Sequence, residues 1–210
     1  MAGGDGLQGG QGLNLNPISP TLEREGTRSR ALLFTTSFSE NDILRYAGLT
    51  ADFIKTQRET FAPGAAPLPP DQMEAFLPFF NEGILKTTLF FHKTDGHLQS
   101  PAFLTELEEK GVSFPLDRLQ AITLQDVVVT FGEAEPRVLF HELVHAVQYQ
   151  KLGLKQFAYK YMKGLLARGS YERIPLEVNA HALDELYSRD PSQPFSVESE
   201  IQRWINENRF

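Results

Sequence analysis

In the stretch EPRVLFHELVHAVQYQ, residues 135–150, two histidines stand four positions apart with a glutamate directly after the first. On a helix, positions i and i+4 lie one turn apart on one face, so His141 and His145 can aim two ring nitrogens at one point. Glu142 is rotated by about 100° from His141, which lets its carboxylate reach a water at that point without becoming a ligand. The chemistry this set performs is that of a zinc ion held by two imidazoles with the glutamate as general base. The plainer reading is a core helix with two satisfied histidines. Leu139, Phe140, Leu143, Val144 and Val147 would bury Glu142 together with the imidazoles, and a carboxylate buried without a partner is costly. A cation resolves that conflict.

Catalytic zinc usually takes three protein ligands and leaves a fourth position for water. Of the remaining histidines, His92 and His97 lie upstream near an expected strand and turn. The downstream stretch RIPLEVNAHALDELY is richer. Pro175 suits a helix start, and Glu177, His181 and Asp184 follow at i, i+4 and i+7, one stripe on an otherwise apolar helix. Such a stripe faces either a cleft or solvent.

The two motifs together, HELVHAVQY and PLEVNAHALDELY with Glu177 placed 32 positions after His145, resemble the gluzincin zinc metallopeptidases, especially their small single-domain members. The resemblance covers residues 127–186. It implies a zincin-like α+β domain, with a small sheet whose edge strand packs on the metal-binding helix and a helical C-terminal half. It implies Zn2+ as cofactor, His141, His145 and Glu177 as ligands, and Glu142 as the base that activates water for attack on a peptide or protein substrate. The strand at 126–131 then takes the place of the edge strand that holds an extended peptide. Larger members carry an aspartate one turn after the ligand glutamate, where this chain has His181. Asp184, one turn further, takes over the task of fixing a ligand imidazole, or else His181 ligates and Glu177 supports it. Tyr171, Arg173 and His181 are the candidate donors to an oxyanion. The Gly-x-Met-Glu-Asn run of some aminopeptidases is missing, which favours an endopeptidase. The alternative is a non-catalytic, zinc-stabilised interaction module, against which the intact Glu142 speaks.

These side chains must be carried by a framework, and the rest of the sequence outlines one. The 210 residues suffice for one sizeable core. A net charge of -7 and a pI near 5.3 exclude the electropositive footprint of a nucleic-acid binder. Without cysteine there are no disulfides, thiolate ligands or thiol nucleophile. Residues 1–16, rich in Gly, Gln and Asn, are expected to be a disordered tail, with 17–120 an N-terminal α+β part and 121–210 the zinc-binding core of one domain. No secretory signal or membrane span is read, so the expected compartment is the cytoplasm. Strands are expected at 31–38, 85–93 and 126–131. Helices are expected at 40–47, from Thr50 to about 60, from Asp71 with a kink at Pro78, and between Pro101 and Gly111. Residues 61–70 read as a loop. The metal-binding helix should run over 135–152 and stop at Gly153, with further helices at 155–167, from Pro175 to about 189, and after a Ser196 cap. The locally basic segment 151–173 reads as an amphipathic cover whose lysines face water, or as a contact for an anionic substrate or a membrane surface.

Overall fold

The computed structural model describes residues 37–210. The expected tail lies outside the described residues. So does most of the strand expected at 31–38, whose described end, Ser37 and Phe38, is not in a strand.

The first element, α1 (Glu40–Phe61), starts at a capping box. Ser39 accepts from the Asp42 amide and Asp42 accepts in return from the Ser39 amide. It is one 22-residue helix, where the sequence suggested two. Gly48 is a weak helix former, but it interrupts nothing and Thr50 is an interior residue rather than a cap. Residues 61–70 hold more order than a loop: a 3-10 turn (Ala62–Gly64) and a two-residue strand, β1 (Ala66–Pro67), which pairs antiparallel with β2 (Leu89–His92). Pro67 is tolerated there because β1 is a sheet edge. Pro78 ends a helix rather than kinking it. α2 (Pro70–Phe76) stops short of it, and α3 (Glu82–Thr87) restarts with Asn81 accepting from the Ile84 amide. The first residues of the strand expected at 85–93 therefore belong to α3. α4 (Ala102–Glu109) lies between Pro101 and Gly111 as expected.

β3 (Ala121–Leu124) and β4 (Val127–Thr130) form a tight hairpin through Gln125, which takes a positive φ of 65°, and Asp126. The sheet order is β1-β2-β4-β3, with β4 parallel to β2 and antiparallel to β3. This corrects the edge-strand assignment. The strand expected at 126–131 is internal, and all four residues of β4, Val127–Thr130, are buried, as a near-continuous apolar run requires. The edge beside the histidines is β3, whose short, mixed sequence AITL carries little strand signal.

α5 (Pro136–Arg168) contains a break at Gly153, whose φ of 72° and ψ of 160° leave the helical region. The helix that carries both histidines thus ends where the sequence places its end, and the following helix closes on Gly169 in the left-handed conformation. α6 (Pro175–Arg189) and α7 (Val197–Asn206) complete the chain, and Ser196 caps α7 by accepting from the Ser199 amide. From Leu139 to Tyr149 every residue is buried, the pattern of a helix surrounded on all sides. One apolar cluster, including Ile54, Leu107, Val129 and Leu165, packs α1, α4 and the sheet on the second half of α5. Another, including Phe76, Phe80, Phe140 and Ile201, packs α2, α3 and α7 on the first half. The fold is thus α+β and mostly helical, with a small mixed sheet, and no described helix is long and apolar enough to cross a membrane.

Candidate metal centre

Two helices bring the polar cluster together. His141 and His145, one turn apart on α5, place their Nε2 atoms 3.1 Å from each other. Each stands 3.3 Å from Oε2 of Glu177 on α6. The close approach of the helices depends on Gly164, where an added Cβ would stand 2.7 Å from Cδ of Pro175 at the start of α6. The cluster is deeply enclosed: the relative exposures of His141, Glu142, His145 and Glu177 are 7%, 6%, 5% and 2%.

The partners behind these three residues decide which of their atoms face one another. Nδ1 of His141 donates to Oδ2 of Asp184 at 2.8 Å, so its Nε2 is the nitrogen left for the centre. Nδ1 of His145 donates to Oε1 of Gln148 at 2.9 Å, and the Gln148 amide is itself oriented by donating to the Leu176 carbonyl and to Asn179 Oδ1. Glu177 accepts from the hydroxyls of Tyr161 at Oε1 (2.7 Å) and Tyr171 at Oε2 (2.8 Å). Arg137 pairs with Oδ1 of Asp184. Glu142 lines the adjoining cavity with His145 and Glu177, and the Thr123 hydroxyl of β3 stands 2.6 Å from its Oε2 and 2.9 Å from its backbone carbonyl.

The electrostatics are unbalanced. Three buried acidic side chains, Glu142, Glu177 and Asp184, share the cluster with one guanidinium, Arg137, which pairs with Asp184. Burial opposes the imidazolium form of His141, but the Asp184 and Glu177 carboxylates outweigh it and raise its pKa to about 10. His145 is also raised, burial being overcome chiefly by Glu177. Burial pushes the Glu177 carboxyl up, and the two histidines more than reverse this, holding it well below its ordinary range. Burial likewise pushes the Tyr171 hydroxyl far up, with the neighbouring carboxylates adding to it. It remains a neutral donor. Nε2 of His141, Nε2 of His145 and a carboxylate oxygen of Glu177 lie near enough together to hold a metal ion.

The remaining sequence candidates take different positions. His181 has a half-exposed side chain and joins the outer face of the cluster, with Nδ1 3.2 Å from Oδ2 of Asp184. It forms a second potential ligand group with His141 and Asp184, and is not grouped with His145 and Glu177. Arg173 is exposed, in the 3-10 turn Tyr171–Arg173. Tyr171 lines the central cavity, its hydroxyl committed to Glu177. His92 pairs with the Thr130 hydroxyl on the sheet, and His97 lies against the Phe131 ring.

Sequence reasoning missed Thr123, Gln148, Tyr149, Tyr161 and Arg137. Gln148 follows His145 by three positions and Arg137 precedes His141 by four, so helical spacing marks both. Nothing local marks Thr123, which arrives by strand pairing. Tyr149 lines the same cavity as Glu142 and His145, and its hydroxyl makes no hydrogen bond among the described residues. The chain matches no protein-family model, no curated protein and no solved structure.

Proposed function

We propose that this chain is a zinc-dependent peptide hydrolase in which His141, His145 and Glu177 hold the metal and Glu142 is the general base. The observation that carries the reading is the triangle of Nε2, Nε2 and Oε2 atoms with edges of 3.1, 3.3 and 3.3 Å. Ligands about 2.0–2.1 Å from a tetrahedral zinc stand roughly 3.3 Å apart, so the three donors have the spacing of three corners of such a site. The charge balance agrees, since a divalent ion would supply positive charge among three buried acidic side chains of which Arg137 pairs with one, Asp184. The hydrogen bonds from both imidazole Nδ1 atoms are the supports that metal-ligating histidines require.

Held by His141, His145 and Glu177, a zinc ion would lower the pKa of a water to about 7 and polarise a carbonyl. Glu142, fixed by Thr123, takes the proton of the attacking water and returns it to the leaving nitrogen. Tyr161 and Tyr171 orient Glu177 and are committed to it. Tyr149 is the cavity tyrosine with an uncommitted hydroxyl, and we assign to it the donation to the developing oxyanion. The outer edge of β3, unpaired among the described residues, is the strand beside Glu142 that an extended peptide would follow.

A second reading follows from the burial of the donors, which suits a closed structural site: zinc would tie α5 to α6 in a protein that acts by binding. One variant separates the two. Glu142→Gln keeps zinc under both readings. Under the first it lowers hydrolysis of an unfolded protein substrate by orders of magnitude, whereas zinc-loaded wild type that cuts no peptide leaves the second.

A further inference from the structure

Asn179 of α6 lies fully buried two residues beyond Glu177, and only half of its amide is used. Oδ1 accepts from Nε2 of Gln148 at 3.0 Å, while Nδ2 has no hydrogen-bond partner among the described residues. A buried donor without a partner is destabilising, and an apolar side chain of similar size would avoid that cost. We propose that Asn179 is a positioning residue for the metal, acting through Gln148 to fix the tautomer of His145 so that Nε2 carries the lone pair. The inference rests on the reading of His145 as a ligand.

The chain of contacts has one end whose polarity is fixed. The backbone oxygen of Leu176 can only accept, so the Gln148 atom 3.0 Å from it is the amide nitrogen. That nitrogen carries two hydrogens, and the Leu176 oxygen and Asn179 Oδ1 take one each. Oε1 of Gln148 is thereby turned to His145, whose Nδ1, 2.9 Å away, is the protonated ring nitrogen. A neutral imidazole protonated at Nδ1 has its free lone pair on Nε2, the atom 3.1 Å from Nε2 of His141 and 3.3 Å from Oε2 of Glu177.

Reversing the Gln148 amide would invert each step. Its nitrogen would donate to Nδ1, the ring proton would sit on Nε2, and that proton would occupy the direction in which the metal is held. The reversal sets Oε1 of Gln148 against the Leu176 oxygen and, with Asn179 as it stands, against a second oxygen. Were Asn179 itself reversed, its nitrogen would face the nitrogen of Gln148, donor against donor, and the lock would open. The unpaired Nδ2 is thus the consequence of keeping Oδ1 toward Gln148. Leu176, Glu177 and Asn179 follow closely on α6, so the docking of one helix delivers both a ligand and the two acceptors that prepare His145. Outer partners of this kind are worth about 10- to 100-fold in metal affinity, and Asn179, one acceptor of two, belongs near the lower figure.

The test is the zinc affinity of the full chain, read by competition with a chelator. Asn179→Ala should weaken binding by about tenfold and Gln148→Ala by about 10- to 100-fold. The double variant should be no weaker than Gln148→Ala, because without Gln148 there is nothing for Asn179 to act through. Asn179→Asp keeps an acceptor toward Gln148 and should bind zinc at least as tightly as wild type. In the zinc-loaded wild type the Nδ1 proton of His145 should give an NMR signal that exchanges slowly with solvent, and Asn179→Ala should speed that exchange. Circular dichroism confirms that each variant is folded, and Asn179→Leu, which fills the same space, replaces an alanine variant that is not. Wild-type affinity in Asn179→Ala, additive losses in the double variant, or an aspartate variant as weak as the alanine one overturn the role of Asn179 and leave the metal site standing. A wild type that takes up no zinc overturns the metal site itself, and the inference with it.

Discussion

Replacing Gly164 by alanine tests how the metal centre is assembled, without touching any of its polar groups. The new methyl carbon would stand 2.7 Å from Pro175 Cδ and 3.2 Å from Ile174 Cγ2. Carbon atoms in ordinary contact are about 3.5–4.0 Å apart, so the helices must separate by roughly 0.8 Å or more. Cδ belongs to a ring fused to the backbone and has no rotamer through which to escape. The strain therefore falls on the start of α6, whose first turn carries Glu177. Alanine contributes about 0.8–1.0 kcal/mol of helix propensity, and overpacking costs about 1–3 kcal/mol. The expected net is a loss of about 1 kcal/mol, or about 2–4 °C in melting temperature for a domain of this size. A shift of roughly 0.8 Å exceeds the tolerance of about 0.5 Å within which functional groups must be held. Zinc affinity, read by competition with a chelator, should accordingly fall by on the order of tenfold or more. Gly48 is the control: it is exposed in α1 with nothing within 4 Å of an added Cβ, so Gly48→Ala should stabilise by about 0.5–1 kcal/mol and leave zinc binding unchanged. A Gly164→Ala protein as stable as wild type and with unaltered zinc affinity would refute the reasoning.

Three further outcomes are expected. Glu177→Ala should weaken zinc binding most, Asp184→Ala by about 10- to 100-fold as a lost support of His141, and His181→Ala least; loss of zinc in His181→Ala with retention in Glu177→Ala would make His181 the ligand. The pKa of His141 is raised from 6.5 to about 10 in the metal-free protein, so its contribution to stability is full below about pH 6.5 and is lost as the pH rises through about 10. Zinc binding needs the deprotonated ligands and strengthens in the same direction, so melting curves with and without zinc should diverge as the pH rises; a metal-free protein whose His141-dependent stability grows over that window contradicts the assignment. Thr123→Val removes the hydroxyl that holds Glu142 and should lower kcat by about tenfold or more, given the worth of a hydrogen bond to a charged group, with KM and zinc content unchanged and activity restored in Thr123→Ser. Unaltered turnover in the valine variant would remove Thr123 from the machinery.

The parts of the fold that were legible in the sequence are those specified by local chemistry. Glycine at 153, proline at 136 and 175, and serine at 39 and 196 mark helix ends because a single residue's backbone freedom, missing amide hydrogen or hydroxyl decides the matter. The VVVT run reads as a strand from its branched residues alone. The errors lie where a local signal met a tertiary answer. Thr50 read as the cap of a second helix, but α1 is held along its length by α5 and closed by the Glu40–Tyr159, Arg45–Glu106 and Arg58–Asp126 contacts. Residues 66–67 became a strand because β2 was there to pair with them.

The same division applies to the centre. One helical turn suffices to place His141 beside His145, and seven positions along α6 suffice to put Glu177 and Asp184 on one stripe, so spacing alone singles out these residues. Their roles relative to one another depend on how α6 crosses α5. That crossing is permitted at Gly164, turns Glu177 toward both Nε2 atoms, sets Asp184 behind Nδ1 of His141 and leaves His181 half in solvent. Likewise only strand pairing decides that β4 is internal and that β3 brings Thr123 to Glu142. Sequence determines contacts along a helix because the chain itself carries them, whereas contacts between elements are decided by packing, to which many residues each contribute a little.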